Sequence, residues 1–319
     1  MSASHTSWTA KLLAVVRYEI LWNIRKKKFL GMIVVAFALA TLSLAGGHIV
    51  SAITGAPVEP NPDFVINSNV GLGGFGFFLF AIVTAMNTIS GEFESGTIVP
   101  LLAKPISRTT VFFGKLFAAF LTLLATYCFL MIYMTIGGFI VYGPQNNLHL
   151  VPLSLLGALI STLIWISAVL LLGSLSKSSL IAALGALGIW LGTTIIGSIL
   201  GALVGQGWIL TYIPGTGNSG YANGGLSPSG PTGISVPTGT GISTGTDSIG
   251  PNLIKYILHS SWEITYYKIN LGAVPPVFEP LFSEPFSTVI LRSIAVALVY
   301  FIVFVGISWY AFRRAQVAE

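Results

Sequence analysis

Six runs of apolar residues divide this chain, at about 29–50, 70–90, 111–142, 151–173, 180–204 and 288–311. A helix needs roughly 20 consecutive apolar residues to cross a bilayer, and each run reaches that length. The third is overlong and must tilt, kink or project from the membrane. Ahead of the first run, Leu12, Val16, Ile20 and Ile24 recur every four residues with Leu13 beside them, and Lys11, Arg17, Tyr18 and Arg25 fall on the other side. This spacing predicts an amphipathic helix lying in the headgroup layer, its basic side chains toward anionic lipid. Glu19 falls near the apolar side and breaks the pattern. The basic cluster Arg25-Lys26-Lys27-Lys28 ahead of the first run resembles the start of a signal peptide, but the run is too long for one and reads as a retained span. The expected fold class is an all-α integral membrane protein with six transmembrane helices. Residues 1–28 form the amphipathic leader and 29–319 the membrane domain.

The segment between the fifth and sixth runs, 205–287, divides in two. From Pro214 to Pro251 it is almost wholly Gly, Ser, Thr, Pro and Asn, with Asp247 the only charge. Such a stretch has little apolar surface to offset its ordering entropy, so 214–251 is expected to be a mobile, low-complexity tract. The following part, 252–287, is apolar and aromatic and should fold against the membrane surface, with Trp262, Tyr266 and Tyr267 at the interface.

Composition narrows the class further. Apolar residues make up 54% of the chain and charged residues 8%, where soluble domains carry roughly 25% charged residues. The net charge of +5 does not point to nucleic acid, because the basic residues gather at the ends of apolar runs. Placing the N-terminus inside puts twelve of the 15 basic residues in or beside 1–28, 91–110, 174–179 and 312–319. The other face receives Lys255, Lys268 and Arg292, with six of the ten acids. Both termini are therefore expected in the cytoplasm, with 205–287 outside. The single cysteine, Cys128, cannot close an intramolecular disulfide or build a multi-cysteine metal site.

Catalytic signatures fail on context. Gly241-Ile242-Ser243-Thr244-Gly245 matches a nucleophile-elbow spacing but lies in the glycine–threonine tract. His5, His48, His149 and His259 lack metal-ligand spacing. No Gly-x-x-x-x-Gly-Lys-Ser/Thr loop occurs, so neither catalysis nor a bound cofactor or metal is expected of this chain. More informative is the segment after the second run: Gly91-Glu92-Phe93-Glu94-Ser95-Gly96-Thr97, then Leu101-Leu102-Ala103-Lys104-Pro105-Ile106-Ser107-Arg108, then Gly114-Lys115. Two carboxylates beside anionic lipid need partners. Gly96 can end a helix, and Pro105 prevents an uninterrupted helix from entering the third run. The element is short, of mixed charge and rigidly punctuated, as a docking knob would be.

This segment resembles the signature of ABC-2 type permeases, the membrane-spanning subunits of ABC transporters, as do the leader, the six spans and the long fifth-to-sixth connection. The resemblance implies that the leader is the elbow helix and that 91–110 holds a coupling helix gripped by a separate ATP-binding subunit. Glu92, Glu94, Gly96, Thr97, Pro105 and Arg108 would be the coupling residues. It further implies two copies of that ATPase, which would bind ATP and Mg, and a second permease copy as homodimer or heterodimer. The function expected is export of an unknown substrate across the cell membrane. A secondary transporter without an ATPase is the competing reading, disfavoured by span interiors almost free of ionisable residues. Gly188 and Gly192, and Gly197, Gly201 and Gly205, are four apart in the fifth run and suit close helix packing. Thr84, Asn87, Thr193 and Thr194 are candidate polar groups of a pathway.

Overall fold

The computed structural model describes residues 7–25, 27–68, 71–97, 106–203, 207–215, 219–229, 234–270 and 277–315. Helix α1 (Trp8–Arg25) turns through Lys27, whose φ is 54°, into α2 (Lys28–Thr54). A short α3 (Phe64–Asn67) precedes α4 (Gly73–Ala85) and α5 (Ser90–Glu94). Then come α6 (Arg108–Tyr142), α7 (Val151–Ser176) and α8 (Ser179–Leu203). After α8 the chain forms strands β1 (Ser219–Ser229) and β2 (Ile234–Ser243), helix α9 (Ile249–Leu258), strands β3 (Glu263–Asn270) and β4 (Val277–Pro285), and finally α10 (Phe286–Arg314).

Among the described residues, six stretches are long and apolar enough to cross a membrane: Leu30–Thr54, Gly73–Glu94, Arg108–Tyr142, Leu148–Ser176, Ser179–Gly197 and Phe286–Arg314. The six-span fold class therefore holds. The 35 residues of α6 extend about 50 Å, well beyond a hydrocarbon core of about 30 Å. Its start is set by Ser107, whose hydroxyl accepts a hydrogen bond from the Thr110 amide at 3.1 Å.

Helix α7 is the pillar of the bundle. Two-thirds (67%) of its apolar window is buried, against 17% for α2 and for α8, which stand at the periphery. Its core side chains include Trp165, and around it Tyr127, Phe77, Phe78, Phe80 and Phe112 are fully buried. Polar groups pin the helices together inside this apolar medium. The Tyr127 hydroxyl meets Thr162 Oγ1 at 2.6 Å, joining α6 to α7, and Ser174 meets Ser308 at 2.8 Å, joining α7 to α10. Such bonds contribute about 1 kcal/mol each in a bilayer.

At the end of the bundle opposite α1 stands a four-stranded antiparallel sheet in the order β2-β1-β3-β4. Here the expectation for 214–251 is corrected, because that tract forms β1, β2 and the start of α9. The physical reason is that sheet hydrogen bonds come from the backbone, and the apolar surface is supplied by β3. Ala222 and Ile242 of the hairpin pack with Ile264 and Tyr266 of β3 and with Phe286 and Val289 of α10. Glycine is what admits this approach: a Cβ at Gly220 would collide with Ile264 Cγ2. Helix α9 buries Ile249, Pro251 and Ile254 on the bundle, and Tyr266, expected at the membrane interface, is instead fully buried in the sheet's core, where β3 packs against α10. The sheet is anchored to the first turns of α10 by Arg292, which pairs Glu284 in a fork of 2.6 and 2.8 Å, while Tyr266 donates to the same carboxylate at 2.6 Å.

Candidate functional site

The chemistry-bearing part of the chain lies at the α1 end, where the second span turns back toward the third. Helix α4 ends at Ala85, a turn follows, and α5 carries Glu92 and Glu94. Ser95 closes α5, and Gly96 takes φ 68°, a conformation natural to glycine, with nothing within 4 Å of where a Cβ would stand. Residues 94–97 are exposed, so Ser95-Gly96-Thr97 is an accessible tip of α5. Pro105 lies outside the described residues.

Glu92, Glu94 and Arg108 are each held by a different helix. Glu92 Oε1 accepts from Lys115 Nζ at 2.9 Å, and its other oxygen accepts from the Thr97 hydroxyl. The same Lys115 ammonium is bonded to Glu19 of α1, so one buried cation joins α1, α5 and α6. The Lys115 side chain is 3% exposed, which makes it the least solvated charge of the three. Buried ionic groups of this kind persist only when paired and hydrogen-bonded. Helix α1 reaches this close because Gly114 has no side chain; a Cβ there would stand 2.7 Å from Val15 Cγ1.

Glu94 reaches across to the start of α8. It accepts from the Ser179 amide at 2.7 Å and the Ser178 hydroxyl at 3.0 Å, with a third bond from the Ser179 hydroxyl. A carboxylate at a helix N-terminus meets unsatisfied amides and the positive end of the dipole. Arg108 completes the set, donating to the carbonyls of Arg313 at 3.2 Å and Ala315 at 2.7 Å at the end of α10. Between these ties, Phe93 packs edge-on to Phe312 and beneath the Lys177 ammonium at 5.6 Å. The segment is thus joined to α1, α6, α8 and α10 at once.

Sequence reasoning singled out Glu92, Glu94, Gly96, Thr97 and Arg108; the structure bonds Glu92 to Thr97 beside Gly96, and ties Glu94 to the start of α8 and Arg108 to the end of α10. That reasoning missed Lys115 as the centre of the ion cluster, and Ser178 and Ser179 as the ligands of Glu94. One signal was present: an acid on the apolar side of an amphipathic helix demands a buried basic partner, and Glu19 has one. The pathway candidates do not converge. The Thr84 hydroxyl is buried against Met32 Sδ at 3.3 Å, Asn87 is exposed, and Thr193 and Thr194 both bond to the Trp190 carbonyl of their own helix. Gly188 and Gly192 face open space, Gly197 is buried, and Gly201 lies in the last turn of α8.

Among the described residues no three His, Cys, Asp or Glu side chains gather as a metal site. The family model described as ABC-2 family transporter protein matches residues 13–317, which is nearly the whole chain. No curated protein matches it.

Proposed function

Because this chain belongs to the ABC-2 transporter family, we propose that the tip 95–97 docks a separate ATP-binding subunit, and that the surrounding ties carry its movement into the spans. The observation behind this is the convergence of α1, α6, α8 and α10 on one short exposed element. A loop serving only to join two spans needs no buried cation and no carboxylate capping a distant helix. In this reading Gly96 and Thr97 meet the partner, while Glu92, Glu94 and Arg108 hold the tip and pass displacement to Lys115, α8 and α10. ATP and Mg belong to the partner, present in two copies.

The working unit is proposed to be a pair of permeases, identical or related. Supporting this, α8 is peripheral, and a Cβ at Gly188 or Gly192 would meet nothing within 4 Å. Small residues turned away from their own bundle allow close approach of another helix. The charge asymmetry supports a cell-membrane orientation with the α1 end in the cytoplasm and the sheet outside. Export is the proposed direction.

The test is co-expression with an ATP-binding-cassette subunit from the same genome. Stable co-purification, and ATP hydrolysis by the partner that rises when this chain is present, are expected. An ATPase that neither binds this chain nor responds to it would remove the proposal.

A further inference from the structure

Opposite the α1 end, the chain leaves α2 by an arch that stands clear of the helices it joins. Gly55, at φ 72°, caps α2 by donating its N–H to the Ser51 carbonyl at 2.8 Å. Pro57, Pro60 and Pro62 then stiffen the connection. Its far side is pinned to the end of α6, where the Asn61 N–H donates to the Tyr142 carbonyl at 3.2 Å and Gln145 Nε2 donates to the Asn61 carbonyl at 2.9 Å. Between the arch and the two helix ends lies a cleft of about 400 Å³, lined by Gly46, Val50 and Thr54 of α2, Val58 and Glu59 of the arch, and Tyr142 of α6. The Tyr142 ring is fixed in its wall. Its hydroxyl donates to the Leu44 carbonyl at 3.0 Å and accepts from the Gly47 N–H at 3.2 Å, and Phe64 stacks on the ring at 4.2 Å.

The fixed charge and the helix dipoles at this cleft share one sign. Helices α2, of 27 residues, and α6, of 35, both end here and present the negative ends of their dipoles. Glu59 is exposed and forms no ion pair with a described residue. The surrounding chain supplies no countercharge either. Neither lysine nor arginine occurs from Phe29 to Ala103 or from Leu116 to Ser176. Farther along, Lys268 is paired with Glu279 and Arg292 with Glu284, and Lys255 stands on α9, which packs chiefly on α7 and α10. The stretches 69–70, 204–206, 216–218, 230–233 and 271–276, outside the described residues, contain no lysine or arginine. The rest of the wall, Val50, Val58 and the flanking prolines, is apolar.

From this geometry we infer that the cleft binds a small organic monocation, an ammonium carrying short alkyl groups, with its charge at Glu59 and its alkyl groups against Val50 and Val58. A hard divalent cation takes six or more oxygen ligands and commonly several carboxylates, and the lining offers one. A zwitterionic lipid headgroup carries the same ammonium, but its phosphate would face Glu59 and two helix C-termini with no cation to receive it. The cleft lies at the opposite end of the bundle from the tip 95–97, and the inference does not depend on what docks there.

Saturation-transfer NMR on the full-length protein in maltoside micelles tests this with three probes: choline, its neutral isostere 3,3-dimethyl-1-butanol, and phosphocholine. Choline should bind saturably and about fivefold more tightly than the isostere, which is what one exposed ion pair provides. Phosphocholine should bind more weakly than choline. Glu59→Gln, on the exposed arch, should bring choline down to the affinity of the isostere. Gly46→Leu, at a position where a Cβ meets nothing within 4 Å, should fill the cleft and weaken both. No saturable choline binding, or an isostere that binds as tightly, would overturn the inference. So would a preference that survives Glu59→Gln, choline binding untouched by Gly46→Leu, or phosphocholine binding equal to choline, which would assign the cleft to a lipid headgroup.

Discussion

Replacing Lys115 with Met is the most severe small change that the ion cluster beside α5 offers. The ammonium is 3% exposed and serves two carboxylates, Glu19 at 10% and Glu92 at 21% side-chain exposure. Met keeps about the length of the stem but removes the cation that both acids share. Removing one partner of a buried pair costs about 3–5 kcal/mol, most of it the stranded charge. The matching control is Lys268→Met, whose pair with Glu279 spans 3.0 Å but is 43% and 42% exposed and should contribute less than about 1 kcal/mol. Unfolding free energy in detergent micelles reads the difference. If stranded charge is the cause, Glu19→Gln with Glu92→Gln in the Lys115→Met background should recover most of the loss, because neutral amides remain where carboxylates stood. Lys115→Met as mild as Lys268→Met, or a triple variant no better than the single, would refute the reasoning.

Other outcomes follow from the sheet and its junction with the bundle. Gly220→Val should force β1 off Ile264 and Tyr266 at a cost of about 1–3 kcal/mol, raising protease cleavage within 219–243 while leaving the six spans in place. Burial pushes the Asp247 carboxyl up to about 6 from the usual 3.8. A folded-state pKa above the unfolded one means a penalty that is full above pH 6 and relieved as pH falls toward 4, by at most about 3 kcal/mol. Asp247→Asn should therefore raise the melting temperature at pH 7.5 and have little effect near pH 4.5; an equal effect at both would count against it.

The spans were legible in the sequence because crossing a bilayer is a one-dimensional demand on run length and polarity. The segment after the second span stood out for a related reason: Glu92, Glu94, Gly96 and Arg108 are unusual within a few residues of one another. What holds them was not, since Lys115 lies 96 residues from Glu19 and the Glu94 ligands lie 84 and 85 residues away. Only Glu19, misplaced on an apolar face, hinted at such a contact. The β1–β2 hairpin was hidden by composition. Gly220 and Gly239 look like disorder when counted, yet the one clears Ile264 and the other takes a φ of 108° beside the bulge between Ala222 and Gly225. In that hairpin the apolar driving force comes from β3 and α10, far along the chain, and no local window contains it.

Site-specific crosslinking tests the central claim most directly. In a Cys128→Ser background, single cysteines at Ser95, Thr97, Lys177 and Leu226 would be probed against the co-expressed ATP-binding subunit. Docking at the tip predicts strong adducts from Ser95 and Thr97, weaker ones from Lys177 and none from Leu226 on the sheet. Adducts from Leu226, or none from Ser95 and Thr97 in a complex that still hydrolyses ATP, would contradict it.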